Sequence, residues 1–377
     1  MLTGDAESIL YLIRKCFGRY EGEIQIQDSQ EAMRIILKNG ILLTVYRTLP
    51  ADLQEMLKNQ YNAALKQSII QGHEGVKVIK ALAGAGLNCI ALKGWELRKL
   101  YPDPTMRQMA DLDILVHPYN FNTIKTTMEG IGYKGGSECT WKHDCFTRRE
   151  IKFEIHKRLT DDSRDIQRWE TDVWSRASQT ELENVYRMCP EDFYIFHFVH
   201  LHKDFMNGSL GLRRIIDTWL LQRQSIDREA ARAVLDQFGM GLFHDRMVKL
   251  CEACMGDGPM DEDSEFMVNH ALTHGIYGSD KSYKAGRIAA MSSRSLNAGK
   301  VNSFMSAVFL PYGRMRAQYP ILQHLPILLP YYWLKRIIRS LKGNLKEQKR
   351  MLDYSKISDS DYWEMKRFFE AGGVRQG

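Results

Sequence analysis

Apolar positions along the first 85 residues recur at helical spacing. Ile9, Leu10, Leu12, Ile13 and Phe17 form one stripe, and Met33, Ile35, Ile36, Leu42, Leu43 and Tyr46 form another. Residues 51–84 contain no proline and predict one long helix, or two joined near Gln71-Gly72, ended by Gly84 and Gly86. The pattern then changes. Asn88–Leu92 is a short apolar run flanked by glycines, which reads as a buried strand. A helical stretch runs from Gly94 to Leu100, and Pro102 and Pro104 mark a loop. Asp111–Val116 alternates polar and apolar residues, then becomes wholly apolar, and reads as a second strand. Pro118 opens a helix to about Gly130. Residues 139–146 and 150–156 are two further alternating segments, joined by a turn containing Thr147, Arg148 and Arg149. From 162 onward helical spacing returns over 191–203, 209–224, 228–238 and 241–254.

These patterns divide the chain. A helical region covers 1–85, 86–160 is expected to be the only α/β part, and a helical domain covers 161–274. Residues 275–300, rich in Gly, Ser, Lys and Arg, read as a linker or long loop. A C-terminal helical region, 301–377, carries an apolar and aromatic run broken by Pro311, Pro320, Pro326 and Pro330.

Composition narrows the class. The chain has 377 residues, enough for two or three domains. With 44% hydrophobic and 26% charged residues it is a folded chain and not a disordered one. The net charge of +6 is local: residues 331–350 hold Lys335, Arg336, Arg339, Lys342, Lys346, Lys349 and Arg350 against Glu347 alone, and the rest is balanced. A neutral main body argues against a long nucleic-acid partner. The basic segment suits a packed helix with a solvated charged side, or peripheral contact with an anionic membrane surface. Seven scattered cysteines point to reduced thiols and a cytoplasmic setting. Asp5 and the lack of an early basic cluster argue against a secretory signal. No run of 18 apolar residues reads as a membrane span.

Chemistry concentrates at the strands. Asp111 and Asp113 stand two apart, so a strand projects both to one side while Leu112 and Ile114 face a core. Paired acids repel unless a cation joins them, and Mg²⁺ prefers oxygen ligands. Glu154, between Phe153 and Ile155 on a later strand, adds a third carboxylate if that strand lies alongside. Three such groups suit two-metal phosphoryl transfer; exposed acids at a strand end also occur without any metal. His156 shares the face of Glu154, as a nucleotide contact or as the residue that orients Glu154. His197 and His200 share a helix face, a spacing more common in packing than in metal binding. Cys251 and Cys254 read as buried thiols. No P-loop, dinucleotide-binding or nucleophile-elbow pattern follows a strand.

Leu92-Lys93-Gly94, Tyr101-Pro102, Arg107, Asp111-Leu112-Asp113 and Glu154-Ile155-His156 together resemble the nucleotidyltransferase superfamily with the DNA polymerase β-like fold, and its poorly characterised bacterial branch in particular. The likeness continues through His197, His202, Leu212-Arg213 and Asp217, and into residues 309–336. It implies an α+β fold, a small mixed sheet forming a nucleotidyltransferase core over 86–160 within a mostly α-helical protein. It implies that Asp111, Asp113 and Glu154 bind two Mg²⁺ (or Mn²⁺) ions and are catalytic, Glu154 holding the metal nearest the attacking hydroxyl and assisting its deprotonation. Gly94 would begin a helix whose backbone N–H groups hold phosphate. The superfamily pattern places Gly followed by Ser or Gly about a dozen residues before the paired acids. Here Trp95 follows Gly94, which stands 17 residues before Asp111. Lys93 and Arg107 are then expected to meet the triphosphate, or to partner nearby acids. The expected activity is transfer of a nucleoside monophosphate from an NTP to a hydroxyl acceptor, small molecule or protein, with release of pyrophosphate. The alternative is an inactive nucleotide-binding or protein-interaction module that keeps the fold.

Overall fold

The computed structural model describes residues 4–135, 142–160, 164–292, 295–342, 354 and 356–374. Cys139, the first part of the 139–146 segment, and the basic residues from 343 to 350 lie outside these. The chain forms two compact units, one of 1–202 with 210–277, the other of 203–209 with 278–377.

The first unit holds helices α1 (Gly4–Cys16), α2 (Ser29–Asn39), α3 (Leu42–Val45), α4 (Ala51–Gly84), α5 (Gly94–Leu97), α6 (Phe121–Gly130), α7 (Arg164–Arg176), α8 (Pro190–Met206) as far as His202, α9 (Leu212–Gln222), α10 (Arg228–Gln237), α11 (Gly241–Met255) and α12 (Glu262–His274). Helix α4 is one uninterrupted element of 34 residues. Helix α6 begins later than Pro118. The Asn120 side chain accepts from the Thr123 N–H and sets the start, and Pro118 lies before it.

Among the described residues seven strands form one mixed sheet: β1 (Asn88–Ala91), β2 (Leu112–His117), β3 (Lys134–Gly135), β4 (His143–Arg148), β5 (Ile151–His156), β6 (Ser178–Gln179) and β7 (Val185–Arg187). Their order is β3-β4-β5-β2-β1-β7-β6. Strand β2 runs parallel to β5 and antiparallel to β1, and β1 runs parallel to β7. The fold is thus α+β, a small mixed sheet in a largely helical chain. The α/β part does not end at 160, however. Strands β6 and β7 extend the sheet beside β1. They carry two and three residues, too few for an alternating pattern, and pairing with β1 and with each other makes them strands.

One face of the sheet is apolar. Cys89, Ala91, Leu112, Ile114, Val116, Phe146, Phe153 and Ile155 pack with Val78, Ile79 and Leu82 of α4 and with Ile124 and Met128 of α6. Each fully buried aliphatic or aromatic side chain of this kind contributes about 1.5–3 kcal/mol. Strand alternation sends the intervening residues to the other face. The apolar side therefore fixes which polar residues can meet.

The second unit contains α13 (Asp280–Met291), α14 (Leu296–Val308), α15 (Tyr312–Gln318), α16 (Leu329–Lys342) and α17 (Asp359–Ala371). The stretch read as a linker or long loop is thus largely helical. Its serines are caps: Ser279 accepts from the Ser282 N–H, and Ser295 from the Ala298 N–H. Its Gly299 lets α14 approach Ile288 of α13 more closely than a Cβ would allow. On α16, Tyr331, Leu334 and Ile338 are exposed, and Lys335 is exposed among them. No helix among the described residues is long and apolar enough to cross a membrane.

Candidate active site

The polar face of β2 and β5 gathers the chemistry. Asp113 pairs in register with Glu154 on the neighbouring parallel strand, so both carboxylates rise side by side. Asp111 precedes β2 by one residue and lies on the same side. Burial first, and then the charges of Asp113 and Glu154, raise its carboxyl above the usual range. It is the acid of the three whose charge is least compensated.

Asp113 is compensated twice. Lys93 Nζ and His156 Nε2 both lie 2.7 Å from its Oδ1. Burial would raise this carboxyl, but the Lys93 ammonium and the His156 ring hold it well below the usual range. Burial would likewise lower Lys93, and Asp113 more than reverses that. The Lys93 backbone sits at φ 45, ψ −118, a conformation that costs a non-glycine residue about 1–3 kcal/mol and that clusters at functional sites.

Glu154 takes a hydrogen bond from Lys152 Nζ at 2.6 Å. Its other oxygen is 3.5 Å from His143 Nε2 and 3.7 Å from His156 Nε2. Burial opposes its ionisation, yet His156 and Lys152 bring its pKa down to about 2. Burial lowers His143 to about 4, so its ring is neutral at neutral pH. His143 and Lys152 are site residues that sequence reasoning missed. Lys152 was two residues from Glu154, so strand alternation could have found it. His143 lies opposite His156 in the antiparallel β4–β5 pair, and only the register shows that.

The loop after β1 differs from expectation. Helix α5 is a single turn, and the N–H groups of Trp95, Glu96 and Leu97 donate back to the carbonyls of Leu92 and Lys93. Those three groups are already spent, so they do not form a phosphate cradle at Gly94. Trp95 is accommodated instead by α4: its ring lies over Gly75, where any Cβ would overlap it. Gly94 itself is needed because Arg107 Nη1 crowds it.

Arg107, expected at the triphosphate or as an acid's partner, takes the second role. Its Nε and Nη2 each lie 2.7 Å from a different oxygen of Asp217, and both side chains are buried. Tyr101 donates its hydroxyl to the same carboxylate at 2.9 Å. This network ties the loop before β2 to α9 and leaves Arg107 unsuited to meet a nucleotide.

His197 is likewise structural. Thr218 donates its hydroxyl to the Arg214 carbonyl, so the buried His197 Nε2–H donates to Thr218 Oγ1, at 2.8 Å. Burial lowers this imidazole from 6.5 to about 4. The unfolded chain takes up the proton near pH 6.5 and the folded chain only near 4. Stability therefore falls as pH falls through that window, by up to about 3 kcal/mol. In His197→Gln, which keeps a donor but cannot titrate, thermal unfolding between pH 6.5 and 4 should show a shallower decline. An unaltered slope would exclude His197 as the cause. Cys251 and Cys254 are buried free thiols, and burial pushes Cys254 up to about 12.

Oxygen donors on a rigid face, drawn together against their own repulsion, fit a divalent cation. A family model described as an uncharacterised nucleotidyltransferase matches residues 29–256, well over half of the chain. That match runs from α2 to α11, so it takes in the helices on both sides of the core and stops before residues 309–336. No curated protein and no solved structure matches the chain.

Proposed function

The chain belongs to the uncharacterised nucleotidyltransferase family, and from that footing we propose that it transfers a nucleoside monophosphate from an NTP to a hydroxyl acceptor. The observation that carries the reading is the alignment of Asp113 with Glu154, with Asp111 beside them, on the polar face of a sheet whose other face is core. Asp111, Asp113 and Glu154 would hold divalent cations there. Such ions, when bound, neutralise charge on the α-phosphate and on the leaving pyrophosphate.

The chain's own residues do the rest. The acceptor oxygen forms a bond to the α-phosphorus as the bond to pyrophosphate breaks. The sheet holds the carboxylates rigidly, so catalysis is chiefly positioning and charge balance. Glu154 would hold the cation nearest the acceptor hydroxyl and acts through charge and orientation, and the acceptor's proton goes to water. Lys93 balances Asp113 in the resting protein, and it is the cation we assign to the β- or γ-phosphate during turnover.

Calorimetry with ATP, GTP, CTP and UTP tests this, each in Mg²⁺, in Mn²⁺ and in EDTA. The expected result is metal-dependent binding of one or more NTPs. A second reading, an inactive module, draws on the double neutralisation of Asp113 and the spent N–H groups of α5. Binding unaffected by EDTA, or no binding by a folded sample, would favour that reading and reject the first.

A further inference from the structure

Two imidazoles stand among the carboxylates, and both have the setting of ligands. His143, Glu154 and His156 each offer one atom within 4.8 Å of the others. Asp113 Oδ1 stands beside this trio, 2.7 Å from His156 Nε2, and is held by Lys93 Nζ. The three ligand atoms come from β4 and β5, adjacent strands of one sheet, so the constellation does not depend on a loop.

His156 is informative in detail. Its Nδ1 faces the Arg158 carbonyl at 3.2 Å, while Nε2 faces Asp113 and Glu154. A carbonyl and a carboxylate cannot donate. The ring therefore needs hydrogen on Nδ1 and either hydrogen or a cation on Nε2. A backbone carbonyl on the far nitrogen is the usual outer partner of a metal-bound histidine. His143 Nε2 approaches the same glutamate at 3.5 Å. Nitrogen donors of this kind suit first-row transition metals, whereas Mg²⁺ seeks oxygen alone and keeps its waters.

We propose that His143, His156 and Glu154 form a mixed nitrogen–oxygen site selective for one first-row transition-metal ion over Mg²⁺. This deepens the nucleotidyltransferase reading, since Glu154 belongs to both. Asp111 and Asp113 are left to serve the nucleotide-associated cation.

The test uses the full chain, stripped with chelator and titrated with Mn²⁺, followed by electron paramagnetic resonance. Pulsed measurement should show nitrogen coupling from imidazole on one bound Mn²⁺. Mg²⁺ should need about a tenfold excess or more to displace it. In His143→Gln the nitrogen coupling should weaken and the Mn²⁺ affinity should fall by about tenfold or more, with His143→Asn as a second variant and thermal unfolding as the control for folding. Bound Mn²⁺ without nitrogen coupling, or displacement by equimolar Mg²⁺, would overturn the proposal. Nitrogen-ligated Mn²⁺ in a protein that binds no NTP would uphold this site and reject the nucleotidyltransferase reading. Metal-dependent NTP binding with oxygen-only Mn²⁺ would do the reverse.

Discussion

Asp111→Asn should abolish function while leaving the fold intact or slightly strengthened. Its carboxyl is raised by burial and by the like charges of Asp113 and Glu154, so removing its charge relieves repulsion. The same change removes an oxygen ligand from the metal-facing side. Metal-dependent NTP binding should weaken by about tenfold or more, and turnover by about a thousandfold, the scale of several kcal/mol of transition-state charge stabilisation. Calorimetry beside thermal unfolding reads both effects. Unchanged metal-dependent binding in a normally folded Asp111→Asn protein would remove Asp111 from the site. Asp113→Asn is a poorer probe. Asp113 balances the buried end of Lys93, so its loss mixes a folding penalty with a functional one.

The largest stability effect is expected at Asp217. This carboxylate is fully buried, takes two hydrogen bonds from Arg107 and a third from Tyr101. Arg213 and Arg214 add charge nearby. Asp217→Ala would leave the Arg107 guanidinium buried without its counter-charge, at a cost of about 3–5 kcal/mol. Denaturant unfolding measures that cost. Replacing the pair together, as Arg107→Met with Asp217→Leu, should recover much of the loss, because the buried charge itself is then gone. A single variant as stable as the parent would show that Arg107 finds other compensation.

The two strands bearing the carboxylates were legible because alternation is local. Asp111-Leu112-Asp113-Ile114 and Phe153-Glu154-Ile155-His156 separate a wet side from a dry side within a few residues. What alternation cannot express is which strand lies beside which. His143 enters the site only through the register that sets it against His156, and β7 becomes a strand through its pairing with β1 and β6. The fate of Arg107 depended on Asp217, 110 residues further along. The helices α13 and α14 were hidden for another reason: the serines that cap them and the glycine that lets them approach have the composition of a flexible linker.

The alternation of site and core residues also bears on how such a chain can evolve. In β2 and β5, Asp113 and Glu154 are each locked between two residues of the hydrophobic cluster. A substitution there alters one side chain. A single inserted or deleted codon shifts the parity of everything after it, turning acids inward and aliphatics outward at once. Length in these two strands is therefore constrained more tightly than spelling. Drift along this lineage can revise the ligands one at a time, but the count of residues between them within a strand must stay odd.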